Sequence, residues 1–207
     1  NNSTLTVHVV SSADTDTYSA ISAAVGSLKG RRHGGANIKV IEMMDDIKKN
    51  VQNWSDEREL GDYLRKILRK EAGDKTGLVY GQGHAVYTIS DPRATLLREK
   101  ARRLAEVKGF TEEFELYCLI EKIFPGVFRE EHGSSKSICT NVDFYSGFVY
   151  SMLDIPPELF TPIFAISRMA GWAAHRLEEI ISGGRIYRPA FKQVGELREY
   201  LPISKRK

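Results

Sequence analysis

Residues 158–181 run ELFTPIFAISRMAGWAAHRLEEII, and this stretch decides the fold class. It follows a break at Pro156-Pro157 and keeps apolar residues at three- and four-residue spacing for far longer than a strand runs, which marks a long helix facing a core. Phe160, Ile163, Phe164, Met169 and Trp172 form its core stripe. Working outward, the same period recurs at 18–28, which stops at Gly30, and at 38–51, 56–71, 93–107, 112–124 and 142–153. Ser55 is the expected N-cap of the 56–71 helix, and Asp91-Pro92 supplies a cap and a first helical position for the next. Only 76–90 abandons the pattern for a glycine-rich, β-branched loop, and the tail after Arg185 is irregular. With no repeat and no convincing strand pair, the expected fold is all-α.

The bulk numbers bound the function. A chain of 207 residues with 42% hydrophobic content buries a real core as one domain or two. The formal charge of +3 is spread along helices, so it reads as solvated mixed-charge faces or as a surface that attracts a small anion. Basic and aromatic residues do not interleave as a stacking platform requires, which argues against nucleic acid as a partner. No run reaches the roughly 18 apolar residues of a membrane span. Cys118 and Cys139 stand in no metal-like or CxxC spacing and are expected to be reduced thiols of a cytoplasmic protein, with no metal bound. His8, His132 and His175 have no chemical neighbours in the sequence and are expected to be structural or surface residues.

Four segments carry chemistry. Arg168 sits on the apolar helix and needs a carboxylate, from either the protein or a ligand. Arg188 follows in the glycine-hinged basic loop GGRIYRP at 183–189, and two such guanidinium forks suit a substrate with more than one carboxylate. His33 precedes Gly34-Gly35 and a helix start, where the dipole opposes protonation; a turn residue satisfied by backbone is the alternative. His84 ends the loop GQGH at 81–84, and Arg93 opens a helix, where it either binds an anion or makes a local ion pair. Asp143 stands among Phe144, Tyr145, Phe148 and Tyr150. Partial desolvation there would raise its basicity, unless it serves only as an N-terminal helix charge behind Asn141.

Taken in order, HGGAN at 33–37, GQGHAV ending at Val86, DPR at 91–93, NVDFYSG at 141–147, SRMAGW at 167–172 and RIYRP at 185–189 resemble citrate synthase. The resemblance implies an all-α citrate synthase fold, with a partial large domain formed by 1–29 and 154–207 and a small helical domain at 30–153. It implies condensation of acetyl-CoA with oxaloacetate to citrate and free CoA, with coenzyme A as co-substrate and no permanently bound cofactor or metal. Asp143 would be the base, His33 would hydrogen-bond the thioester oxygen, and His84 would polarise the oxaloacetate carbonyl. Arg93 and Arg168 would clamp carboxylates, while Arg188 would reach into the partner's site of a homodimer. Gly81, Gly83, Lys136 and Asn141 would hold CoA, although Thr88 stands where many members have a basic residue. The family's N-terminal half has no counterpart in the sequence, so the piece is expected to be inactive alone. Two rivals remain: 2-methylcitrate synthase, which uses propionyl-CoA, and a non-catalytic CoA-binding relative.

Overall fold

The computed structural model describes residues 1–30, 33–133, 137–190, 192, 194–196 and 198–206. Eight α-helices account for the described chain: α1 Asn2–Ser11, α2 Thr17–Lys29, α3 Ala36–Asn50, α4 Glu57–Leu68, α5 Pro92–Lys108, α6 Thr111–His132, α7 Val142–Met152 and α8 Phe160–Ile181. Two short 3₁₀ turns lie at Pro157–Leu159 and Ile203–Lys205. The described residues hold no strand; one isolated bridge pairs Gln82 with Thr140. The fold is all-α.

Burial divides the helices between two apolar clusters. The larger gathers residues from Val40 to Met152, including Phe114, Tyr117, Phe144, Tyr145 and Phe148. Tyr117 stacks on Phe148 at 4.6 Å between ring centroids and meets Phe144 edge-on at 5.0 Å, geometries that add to area burial. The smaller joins Val7, Ala24, Leu28 and Trp172, where α1, α2 and α8 pack on one another. Buried Arg176 of α8 ties this group together: its guanidinium donates to Thr17 Oγ1, Ser11 Oγ and the Thr15 carbonyl. A buried guanidinium is tolerated when its donors are spent in this way.

Three helix boundaries differ from the sequence expectation. Helix α1 carries no amphipathic signal, because its buried face is Ser3, Val7 and Ser11; spacing of four is helical, but two of the three residues are polar. Helix α4 is capped by Asp56 rather than Ser55, with Asp56 accepting the N–H groups of Arg58 and Glu59. Helix α6 continues through Pro125 to His132. The proline removes one backbone bond, but Val127 is still buried beyond it, and Arg69 makes a bidentate pair with Glu131 near the helix end.

The 76–90 segment is the expected loop, and its glycines have a packing reason. Gly81 has φ +79°, and a Cβ there would lie 2.6 Å from Phe144 Cδ2 and 2.9 Å from Phe144 Cα. The loop therefore touches the backbone of α7 directly, next to Asp143. Gly81→Ala is expected to cost more than the 1–2 kcal/mol of a left-handed alanine, since Phe144 has to move as well. A urea melt of Gly81→Ala matching wild type would contradict this packing role.

Candidate active site

One cavity of about 440 Å³ is lined by residues that include His33, His84, Arg93, Asn141, Asp143 and Arg168. These side chains come from the turn before α3, the 76–90 loop and the starts of α5 and α7, with Arg168 from mid-α8. Each is delivered by a local device.

His33 sits in a turn closed by its own N–H to the Gly30 carbonyl at 2.8 Å. The turn presses against α2 and α8: a Cβ on Gly34 would lie 2.2 Å from the Leu28 carbonyl oxygen, and Thr161 Oγ1 donates to the Gly34 carbonyl at 2.7 Å. Ser3 of α1 holds the ring, with its backbone N–H 3.4 Å and its Oγ 3.0 Å from Nε2. A backbone N–H only donates, so Nε2 accepts and the neutral ring carries its proton on Nδ1. Burial, aided by the positive charge of Arg168, lowers the His33 pKa below its ordinary value, which keeps the ring a neutral donor.

His84 has the opposite tautomer. Its Nδ1 accepts the N–H groups of Val86 at 3.0 Å and Tyr87 at 3.1 Å, so the neutral ring has its proton on Nε2. That nitrogen lies 3.3 Å from Arg93 Nη2, a donor facing a donor. An acceptor oxygen placed between them would satisfy both.

Asp91, read in the sequence only as a helix cap, organises this corner and is 1% exposed. Its Oδ1 accepts the Arg93 backbone N–H and Nε, each at 3.0 Å. Its Oδ2 accepts Arg93 Nη2 at 2.8 Å and the Val142 N–H at 3.2 Å. One carboxylate thus locks the first turns of α5 and α7 together. Burial would raise its pKa, but Arg93 and these N–H bonds hold it below the ordinary carboxylate range.

Asp143 occupies the first turn of α7, where Asn141 Oδ1 caps the helix by accepting its N–H at 3.0 Å. Asn141 Nδ2 reaches back to the Gly83 carbonyl at 2.9 Å, pinning the His84 loop to the same turn. Burial raises the Asp143 pKa, with Asp91 adding to the effect and Arg93 and His84 opposing it. The outcome is a carboxylate of increased basicity facing the cavity. Arg168 lies over the Phe164 ring at 5.1 Å, with no carboxylate in ion-pair range among the described residues.

Not every sequence candidate reaches this cavity. Gly81 and Gly83 shape the loop without lining it, and Arg188 is exposed and lies outside it, so Arg168 and Arg188 do not share one cavity within the chain. Lys136 lies outside the described residues. His8 and His175, expected to stand without chemical neighbours, instead contact each other and two glutamates; the partners of His8 lie 167 and 171 residues away, where no sequence window could show them, while Glu178 is three residues from His175. Ser3 and His33, 30 residues apart, were hidden from each other in the same way.

The family model described as "Citrate synthase, C-terminal domain" matches residues 1–190. A Synechocystis protein named citrate synthase is 40% identical over 207 residues, covering all of this chain and 48% of that protein. A Shewanella oneidensis 2-methylcitrate synthase is 36% identical over 208 residues, covering all of this chain and 50% of that protein. Among solved structures, the citrate synthase of Thermoplasma acidophilum, in ternary complex with carboxymethyl coenzyme A and oxaloacetate, superposes with a TM-score of 0.77 at 29% identity, over all of this chain and 51% of that one. The chain thus spans about half the length of the curated relatives it matches. On the family match and the folded architecture together, the chain belongs to the citrate synthase family, within its C-terminal domain.

Proposed function

We propose that this chain supplies the catalytic centre of a citrate synthase, which condenses acetyl-CoA with oxaloacetate to citrate and free CoA. The observation that carries the reading is the convergence of His33, His84, Arg93, Asp143 and Arg168 on one cavity. Asp143 takes a proton from the thioester methyl while the His33 Nδ1–H donates to the thioester oxygen, so an enol forms without a free carbanion. The enol carbon attacks the oxaloacetate ketone carbon, and the His84 Nε2–H polarises the ketone oxygen and passes its proton to it. Water then cleaves the citryl thioester. Arg93 and Arg168 bind the carboxylates of oxaloacetate, a role supported by the donor face that Arg93 and His84 share and by the lack, among the described residues, of a carboxylate in ion-pair range of Arg168.

The two apolar clusters support a large part at 1–29 and 154–207 and a small domain at 30–153, with closure between them excluding water from the cavity. Asn141 and the Gly81–Gly83 loop, together with Lys136, would hold CoA, and the exposed position of Arg188 suits a role in the partner's site of a homodimer. The free thiols Cys118 and Cys139 fit a reducing cytoplasm. Among the described residues no helix is long and apolar enough to cross a membrane.

The full-length protein that carries this chain should release thiol from acetyl-CoA only when oxaloacetate is present, while the 207-residue piece alone stays at background. A full-length protein without oxaloacetate-dependent thiol release would end the reading. The Shewanella relative makes propionyl-CoA the substrate to compare. One methylene is worth about 1–3 kcal/mol in such a pocket, so a kcat/KM ratio that favours propionyl-CoA tenfold or more would move the assignment to 2-methylcitrate synthase.

A further inference from the structure

His8 of α1 meets His175, Glu178 and Glu179 of α8 at a place that contributes nothing to the cavity. The proton positions follow from the hydrogen bonds. His8 Nδ1 lies 2.7 Å from Glu179 Oε2, and an ionised carboxylate only accepts, so Nδ1 carries the proton and Nε2 presents its lone pair. Glu179 is 7% exposed and also accepts the Tyr187 hydroxyl at 2.8 Å. These two bonds lower its pKa.

His8 Nε2 then lies 3.1 Å from His175 Nδ1, which lies 3.2 Å from Glu178 Oε2, while Nε2 and Oε2 are 4.0 Å apart. A tetrahedral ion with bonds of about 2.0–2.1 Å to nitrogen and oxygen sets its ligand atoms about 3.3 Å apart. Two of the three separations are close to that edge and the 4.0 Å one is longer, so exposed Glu178 has to move in to complete one face, and partial exposure leaves the fourth corner to water. A buried carboxylate that fixes the tautomer of a ligating imidazole is the usual support of a metal site. We propose that His8, His175 and Glu178 bind a late first-row divalent cation, Zn²⁺ in preference to Mg²⁺, with Glu179 as the positioning residue. Two imidazoles and one carboxylate suit Zn²⁺, whereas Mg²⁺ demands oxygen ligands in octahedral array. The ion would clamp α1 to α8 and, through Glu179 and Tyr187, fix the start of the segment leading to Arg188.

Without an ion, a proton on His175 Nδ1 bridges the other two acceptors; when an ion takes that nitrogen, the neutral ring carries its proton on Nε2 instead. Calorimetric titration of the chain with ZnCl₂ should give one ion per chain. Co²⁺ in its place should show the visible absorption of a four-coordinate site. Half-exposed His175→Ala should weaken Zn²⁺ at least 100-fold with its far-UV dichroism unchanged, and Glu179→Gln should weaken it about 10- to 100-fold. Should His175→Ala unfold, Glu178→Gln reads the same site from an exposed position. The proposal is overturned if millimolar Zn²⁺ does not bind, or if it binds equally well to the folded variants.

Discussion

Asp143→Asn should reduce oxaloacetate-dependent thiol release by about 10³-fold, within the range that a general base contributes, without lowering the stability of the protein. The pairing of these two outcomes is what tests the role. The Asp143 carboxyl is raised in pKa, first by burial, so its charged form costs stability in the fold. The linkage runs accordingly: a carboxylate raised above its unfolded value leaves the fold most stable below that unfolded value, and stability falls as pH rises through the folded value. Asparagine keeps the shape and removes the charge, so at neutral pH its melting temperature should equal or exceed that of wild type. A residue serving only as an N-terminal helix charge would behave in the opposite way, losing about 0.3–1 kcal/mol of dipole interaction and little activity. The acid limb of kcat/KM should likewise lie above the ordinary carboxylate range, because the base must be ionised to act. If Asp143→Asn keeps activity within tenfold of wild type, Asp143 is not the base.

The second large effect is expected at Asp91, which touches no substrate in the proposed mechanism. Asp91→Ala removes four acceptor contacts at once and leaves the Arg93 guanidinium and the Val142 N–H without partners. Breaking a fully buried pair costs about 3–5 kcal/mol. Arg93 is 46% exposed, so water recovers part of its loss, and about 2–3 kcal/mol is expected. For a chain of this size that corresponds to a fall of roughly 5–10 °C in melting temperature. The stabilisation has a pH signature opposite to that of Asp143. A carboxylate held below its ordinary value contributes fully above its unfolded pKa and loses that contribution as pH falls through the depressed one. The stability gap between wild type and Asp91→Ala should therefore narrow in acid. In the full-length enzyme the KM for oxaloacetate should rise more than kcat falls, since Arg93 is displaced while Asp143 and His33 remain. An unchanged melting temperature at neutral pH would show that Asp91 does not hold this corner together.

The helices were legible because a 3.6-residue period is written in consecutive residues, and α2 and α3 bury the stripe that the period marks; α8 buries Phe160 and Trp172 of its stripe but leaves Met169, expected in the core, 47% exposed. Helix α1 was not, because serines fill two of its three buried positions; small polar side chains fit a close helix contact as well as alanine does but give no hydrophobic signal. Pro125 shows the reverse error, a local stop signal overridden by burial on both sides of it. In the candidate site, residue types that declare chemistry were visible one by one: two histidines beside glycines, an aspartate among aromatics, arginines on apolar ground. What orients them was not. The sequence leaves both imidazole tautomers open, and they come out opposite, because Ser3 donates to Nε2 of His33 while Val86 and Tyr87 donate to Nδ1 of His84.

The order of residues by itself determined an all-helical chain, a glycine loop that interrupts it, and a set of side chains able to move protons and bind carboxylates. These follow from local periodicity, backbone freedom and side-chain chemistry, which need no knowledge of distant contacts. Only the tertiary structure decided that Arg168 faces the cavity while Arg188 does not, that Asp91 locks α5 to α7, and that His8 meets His175 across 167 residues of chain. Each of these depends on which helix faces pack together, and packing is settled by the burial of whole surfaces, to which no single segment holds the key.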